Sequence, residues 1–343
     1  MNATRVTVVL VNYNGGPHLQ RCLAALERQT LPHDTLVLDN ASQDGSARSA
    51  CDAFSAVAFV PLRRNVGFAR AVNLAAARVV DRADVLVTLN PDTVPAPGFL
   101  AALVAPIGAD PRVASVAGTL VFASAPHIIA SAGIVVHRNG VALDARLGEP
   151  RPAPATPAEP VFGASGGAAA FRLGAFLEAG GFAEAFFMYL EDVDLAWRLR
   201  ARGWDAVWAP GALATHAYSA SSGEGSPLKR RLLARNRIWT LARGLPKEAW
   251  ARDWRSIVLF DIVALVTSVI GGDWPALRGR VEGLVGLPLR LLERTKTRPD
   301  ACNERDWEAH EPWIVPAVGF RRLLQLRRLT ARLAASRTGT AAR

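Results

Sequence analysis

Three acids fall within four positions, at Glu191, Asp192 and Asp194 of the run Glu191-Asp192-Val193-Asp194. Close like charges oppose one another, and a crowded carboxylate holds its proton more tightly, which suits a general base. A helix starts there: Leu195 and Leu199 continue it, Arg198, Arg200 and Arg202 follow, and Gly203 can cap its end. Acids at the start and bases at the end complement the helix dipole by ~0.3–1 kcal/mol each. That term accounts for one or two acids and leaves the third for chemistry. The preceding Phe186-Phe187-Met188-Tyr189-Leu190 would form an apolar wall beside them.

A second candidate is Asp92, in Asn90-Pro91-Asp92, which follows an apolar strand and a proline that ends it. A carboxylate projecting from a sheet edge can bind a hard divalent cation, Mg2+ or Mn2+, that bridges to a diphosphate. A type I turn explains the same tripeptide equally well. His216 ends the apolar run Ala212–Thr215, and a neutral imidazole meeting Asp92 in space would be a good metal ligand. The run Gly163-Ala164-Ser165-Gly166-Gly167 lets backbone approach a ligand closely, without the spacing of a dinucleotide site or a P-loop.

The elements that must position these groups are legible in the first hundred residues. Val6–Val11 is a continuous apolar, β-branched run, the pattern of a strand buried on both faces. Leu19, Cys22, Leu23 and Leu26 then recur at the helical period. Leu36–Leu38, Val57–Val60 and Val85–Leu89 read as further strands, and Gly67–Val80 as an Ala-rich helix. Such alternation predicts an α/β fold with a mainly parallel central sheet flanked by helices. Ligands of open α/β sheets bind beyond the carboxyl ends of the strands. Asn12-Tyr13-Asn14, Asp39-Asn40 and Asn90-Pro91-Asp92 all fall at such ends.

The chain has 343 residues, half of them hydrophobic and a fifth charged, which suits one large domain with an appendage and excludes global disorder. The expected division is a catalytic domain over 1–222, with a nucleotide-binding half to about 110 and an acceptor half over about 111–222. A helical basic region over 223–330 and a frayed tail over 331–343 follow. Residues 149–160 (EPRPAPATPAEP) read as an exposed loop. Residues 1–228 carry a balance of −2 and residues 229–343 one of +12. The basic residues form no aromatic-interleaved groove and match no nucleic-acid motif, so nucleic acid is not the expected partner. Leu323, Leu324, Leu326, Leu329 and Leu333 interleave with five arginines and could lie on an anionic bilayer, or pack on the catalytic domain.

The scattered Cys22, Cys51 and Cys302 point to a reduced compartment. The 14-residue stretch Ile257–Ile270 carries Asp261 and falls short of the ~20 residues of a spanning helix, so it reads as buried or in-plane. No secretory leader is visible, and the expected location is cytoplasmic, at the inner face of the membrane. The oligomeric state is not legible.

Taken together, the segments VTVVLVNYNGG (6–16), LVLDNASQDGS (36–46), RNVGFARAVNLA (64–75), VLVTLNPDT (85–93), GASGGAAAFR (163–172) and GGFAEAFFMYLEDVDLAWRLRARGW (180–204), with the His216 strand, resemble the family 2 glycosyltransferases. More narrowly they resemble the rhamnosyltransferase-like branch of bacterial cell-surface polysaccharide synthesis. Arg235-Asn236-Arg237 and the helix after it resemble that family's C-terminal continuation. The resemblance implies a GT-A fold and an inverting transfer from a nucleoside-diphosphate sugar, dTDP-rhamnose first and a UDP-sugar second. The acceptor would be a glycan or a polyprenyl-diphosphate-linked saccharide.

Mapped by that resemblance, Asn12, Tyr13 and Asn14 border the nucleotide, Asp39 and Asn40 meet its pyrimidine, and Asn65, Gly67 and Phe68 line its pocket. Asn90 and Asp92 stand at the metal motif, with Asp92 and His216 as ligands. Gly166 and Gly167 border the donor sugar and acceptor. Asp192 is the base, with Glu191 and Asp194 beside it. Asn90 replaces the first acid of the usual motif, so the metal would meet less charge there. A polyprenyl-phosphate sugar synthase and a non-catalytic sugar-nucleotide-binding relative are the rival readings.

Overall fold

The structure is a computed structural model, and it describes residues 4–153, 156–217, 225–297 and 314–335. The chain begins β1 (Val6–Asn12), α1 (Pro17–Leu26), β2 (Asp34–Asp39), α2 (Ser46–Asp52), β3 (Val57–Pro61), α3 (Phe68–Val79) and β4 (Val85–Leu89). Then come β5 (Thr93–Pro95), α4 (Phe99–Ala109), β6 (Val113–Phe122), β7 (Ala125–Ser131), β8 (Ile134–His137), β9 (Ala142–Asp144), β10 (Glu159–Pro160) and β11 (Ala168–Arg172). It closes with α5 (Leu173–Glu178), α6 (Glu191–Arg200), β12 (Asp205–His216), α7 (Pro227–Gly244), α8 (Lys247–Ile270), α9 (Trp274–Thr297), β13 (Ile314–Val315) and α10 (Phe320–Ala335).

The main sheet has the order β10-β12-β6-β11-β4-β1-β2-β3. Val8 and Leu10 of β1 pack into one core layer with α1 and α4, while Val9 faces the other layer with α3 and α5. Alternate side chains thus meet apolar partners on both faces, which is why β1 is apolar throughout. β1 pairs parallel with β2 and β4, β2 with β3, and β6 with β12. β11 runs antiparallel to both β4 and β6, so six strands share one direction with one reversed strand among them. That reversal is functional geometry. It sets the start of β11, Ala168, opposite the end of β4, Leu89, and so brings Gly166-Gly167 to the edge where the parallel strands finish.

β12 returns His216 to the same edge, where it pairs across from Thr93 of β5. Residues Glu159–Pro160, expected as loop, form an edge strand against β12. A smaller sheet orders β13-β8-β9.

The C-terminal region does not stand apart from the catalytic unit. α9 lies tightly on α7 because Gly279, Gly283 and Gly286 share a face at which a Cβ would strike Arg231, Ile238 and Trp239. α10 extends to Ala335, past the point where the sequence reading starts a frayed tail; residues 336–343 lie outside the described residues. It docks on the body: the Ser124 hydroxyl donates to the Leu333 carbonyl at 2.7 Å, and Leu333 packs against the main core. Its leucines other than Leu324 are half-buried, and Arg321, Arg322, Arg327, Arg328 and Arg332 face water. The leucine spacing thus leaves one face half-buried against the catalytic domain and the arginines outward.

Candidate active site

The edge where β1, β2, β4 and β12 end and β11 begins carries the chemistry-bearing residues. Asp192 lies in the first turn of α6. One of its oxygens accepts from the Gly166 backbone N–H at 3.0 Å, the other from the Val193 N–H at 2.8 Å. Burial raises its pKa, and the N–H donors of Gly166 and Val193 oppose that rise. Glu191 is 5% exposed, and burial followed by the Asp192 charge pushes its carboxyl far above the ordinary range. Its Oε2 has no hydrogen-bond partner among the described residues. Both carboxyls are pushed up by burial, and Asp192, which accepts from Gly166 and Val193, is the member of the pair whose charged form is better supported.

Asp194 is a correction to the sequence reading. It is fully buried on the other side of α6, at 2.7 Å from Arg198 and 2.6 Å from Arg243. Burial would raise its carboxyl, but the two guanidinium groups outweigh it and hold the pKa low. Asp194 fastens α6 to α7, with its charge balanced by the two guanidinium groups.

The segment ahead of Asp192 is strained. Phe187, Tyr189 and Leu190 all have φ between 65° and 68°, a region costly for residues with a Cβ, by ~1–3 kcal/mol each. Asn236 of α7, fully buried, holds it there: its Nδ2 donates to the carbonyls of Phe186, Met188 and Tyr189 at 3.1, 2.9 and 2.7 Å. Arg235 donates to the Phe186 carbonyl at 2.8 Å. α7 therefore supports the site, and the boundary drawn at residue 222 separates parts that work as one.

Asp92 and His216 meet as the spacing alone could not show. His216 Nε2 lies 3.0 Å from Asp92 Oδ1, both side chains about nine-tenths buried. Burial would raise the Asp92 carboxyl; the charge and hydrogen bond of His216 outweigh it and hold the pKa below its ordinary value. Gly167 abuts Asn90, where a Cβ would come within 3.0 Å of the Asn90 Nδ2, while Gly166 bonds Asp192. Two adjacent glycines thus join the Asn90–Asp92 corner to the Asp192 corner across one surface.

Along the strand ends lies a polar network. The Asp39 carboxylate accepts from Asn12 Nδ2 at 3.0 Å and from the Ser42 hydroxyl at 2.5 Å. Ser42 also receives the Asn14 N–H at 2.8 Å, and Asn40 Oδ1 receives the Val66 N–H at 2.8 Å. Asn65 Oδ1 receives the Gly67 N–H at 2.9 Å, where Gly67 has φ 84° and a Cβ would collide with Phe187. Phe68 follows, its ring against Gly166, and Tyr13 stands 42% exposed at the rim.

Sequence reasoning missed Ser42 as the hub of this network, although it lies inside a quoted segment. It also missed Asp144, at the end of β9. Burial pushes the Asp144 carboxyl up to about 6, eased by a hydrogen bond to Ser131 and reinforced by the Asp192 charge, and it also senses His216 and Lys229. No motif flags it; only the fold of β8 and β9 brings it here.

The fold is shared with solved glycosyltransferases. A structure of GalNAc-T7 with UDP, GalNAc and Mn2+ superposes with TM-score 0.57 at 17% identity over 71% of this chain and 48% of that one, so this chain spans about half its length. The mannosyltransferase PcManGT from Pyrobaculum calidifontis, in complex with GDP-Man and Mn2+, superposes with TM-score 0.53 at 19% identity over 87% of this chain and 85% of that one. The fold is that of the GT-A glycosyltransferases.

Residues 7–176 match the Glycosyl transferase family 2 domain. The N-acetylglucosaminyl-diphospho-decaprenol L-rhamnosyltransferase of Mycobacterium tuberculosis is 35% identical over 237 residues, covering 63% of this chain and 77% of that protein, in each of two strains. The chain belongs to glycosyl transferase family 2.

Proposed function

We propose that this protein transfers a sugar, with inversion, from a nucleoside diphosphate to a polyprenyl-diphosphate-linked saccharide, as a step of cell-envelope polysaccharide synthesis. The observation that carries this reading is the Asp192 carboxyl, held by the Gly166 N–H on the surface that also carries the Asp92–His216 pair. Asp192 takes the proton of an acceptor hydroxyl as that oxygen bonds to the anomeric carbon. The bond from that carbon to the diphosphate oxygen breaks on the opposite face, so configuration inverts. The Asn12–Asp39–Ser42 network holds the strand ends against the base and ribose of the donor. The apolar Phe68 and Phe187 exclude water from the sugar.

Asp92 and His216 fit a divalent cation, Mg2+ or Mn2+. They offer one carboxylate oxygen and one imidazole nitrogen, 3.0 Å apart and about nine-tenths buried, donor types such a cation would accept. Bound there, such an ion would neutralise charge on the departing diphosphate. dTDP-rhamnose is the proposed donor, and a GlcNAc-diphospho-polyprenol the acceptor, on the likeness to the mycobacterial enzyme. Incubating the protein with a panel of nucleotide sugars and that lipid tests the reading. Rhamnose transferred from dTDP-rhamnose with inverted configuration is the expected product. Absence of transfer from every donor, with Mg2+ and with Mn2+, would refute it.

A further inference from the structure

The helical hairpin of α8 and α9 is built inside out. Sixteen of the 22 exposed large apolar side chains among the described residues lie between Trp250 and Leu292. At and near the tip, Ile270 is 82% exposed, Trp274 75% and, further along α9, Val285 77%. Between Ser256 and Leu292, all described, the one exposed charge is Arg278, and it pairs with Glu282 at 3.0 Å. The other ionisable groups turn inward: Asp261 to Arg237 at 3.0 Å and Arg280 at 3.2 Å, Asp273 to Arg230 at 3.1 Å, Glu282 to Arg231 at 2.7 Å. The hydroxyls of Thr267 and Ser268 both donate to the Ala264 carbonyl, leaving that arm self-sufficient in hydrogen bonds. A pair of helices facing water shows the reverse arrangement, and apolar surface left open at this scale marks a docking face.

We infer that the α8–α9 hairpin seats in one leaflet of an anionic bilayer, its tip and outer faces among the headgroups and upper acyl chains. No helix among the described residues is long and apolar enough to cross a membrane, so the hairpin would dock without spanning. Exposed cations border the apolar zone: Lys247 and Arg255 lie near the start of α8, where Glu248 is also exposed and Arg252 pairs with Asp253 at 2.8 Å, and stacking of Phe260 on Phe320 at 5.0 Å sets Arg321 and Arg322 beside its middle. These match anionic headgroups, whereas an interface between two copies of the chain would bring like charges together. Trp250 and Trp254 near one end of α8 suit the headgroup layer. The choice of bilayer rests also on the proposed lipid-linked acceptor.

Flotation of the full chain with vesicles of phosphatidylcholine and phosphatidylglycerol tests this docking, alongside the triple variant I270S/W274S/V285S. These side chains face outward, so the variant should keep the wild-type melting curve. Wild type floats, and the variant's partition coefficient falls about a hundredfold or more, given the apolar groups removed. Brominated acyl chains quench wild-type tryptophan fluorescence and quench W274F less. Wild type remaining unbound at low salt would overturn the inference, as would a variant that floats equally well. A wild-type dimer that the triple variant dissolves, without flotation, would instead assign the face to a second copy. Donor hydrolysis without vesicles is read in parallel. Its absence with flotation intact sinks the proposed function alone, and its presence without flotation sinks the docking alone.

Discussion

Replacing Asn236 with alanine removes the donor that holds three main-chain carbonyls in front of Asp192. A side-chain amide has two hydrogens, so two of these carbonyls are satisfied at once. Each buried carbonyl left without a donor costs ~1–3 kcal/mol, which puts the loss at about 2–6 kcal/mol. The carbonyls belong to a segment with three left-handed residues, each storing strain that relaxes once the clamp is gone. If half of the loss falls on the placement of Asp192, the turnover rate drops about 5- to 150-fold, at ~1.4 kcal/mol per tenfold. Asn236 touches none of the Asn12–Asp39–Ser42 network, so donor affinity should stay near wild type. Saturating-donor kcat, with the dissociation constant from titration calorimetry, separates the two effects. Asn236→Asp, which keeps size and loses the donor, should be at least as impaired. An Asn236→Ala protein with a lowered melting temperature and wild-type kcat would refute the clamp.

Two further outcomes follow from the buried acids. Asp144 has its folded pKa raised to about 6, above the ordinary ~3.9, so its contribution to stability declines as pH rises from about 4 through 6. Asp144→Asn should therefore melt higher than wild type at pH ~7.5 and equally near pH 4; a gap independent of pH contradicts this. Asp194 has a depressed pKa, so the stability it gives is present above the ordinary carboxylate range and lost as pH falls through its folded value. Arg243→Met leaves that buried acid with one partner fewer and should cost ~3–5 kcal/mol in urea unfolding. A loss below ~1 kcal/mol would show that the α6–α7 pairing is not structural.

Much of the nucleotide half can be read directly from the chain, because β1, β2 and β4 are short apolar runs closed by polar residues. Two-sided burial demands the runs, and the turn at each strand end gathers Asn12, Asp39 and Asp92 along one edge of the sheet. The acceptor half is less legible. β11 is as apolar as its neighbours, and nothing in Ala168–Arg172 declares that it runs antiparallel. Asp194 belongs to Arg243, 49 residues away, and Asn236 serves carbonyls 47 to 50 residues before it. Side chains that bond backbone from so far leave no local pattern. The hairpin escaped for another reason. The apolar stretch Ile257–Ile270 reads equally as buried or in-plane, and only the ion pairs of Asp261 on α8 and Glu282 on α9 show which faces turn outward.

The assignment of Asp192 as the proton acceptor is tested most directly by comparing Asp192→Asn with Glu191→Gln in the same transfer assay. Asp192→Asn should lose about 10²–10⁴-fold in kcat with donor binding retained. Glu191→Gln, which replaces the carboxyl that burial pushes furthest up, should keep most of its rate. Wild-type transfer by Asp192→Asn, or the larger loss falling on Glu191→Gln, would contradict the account.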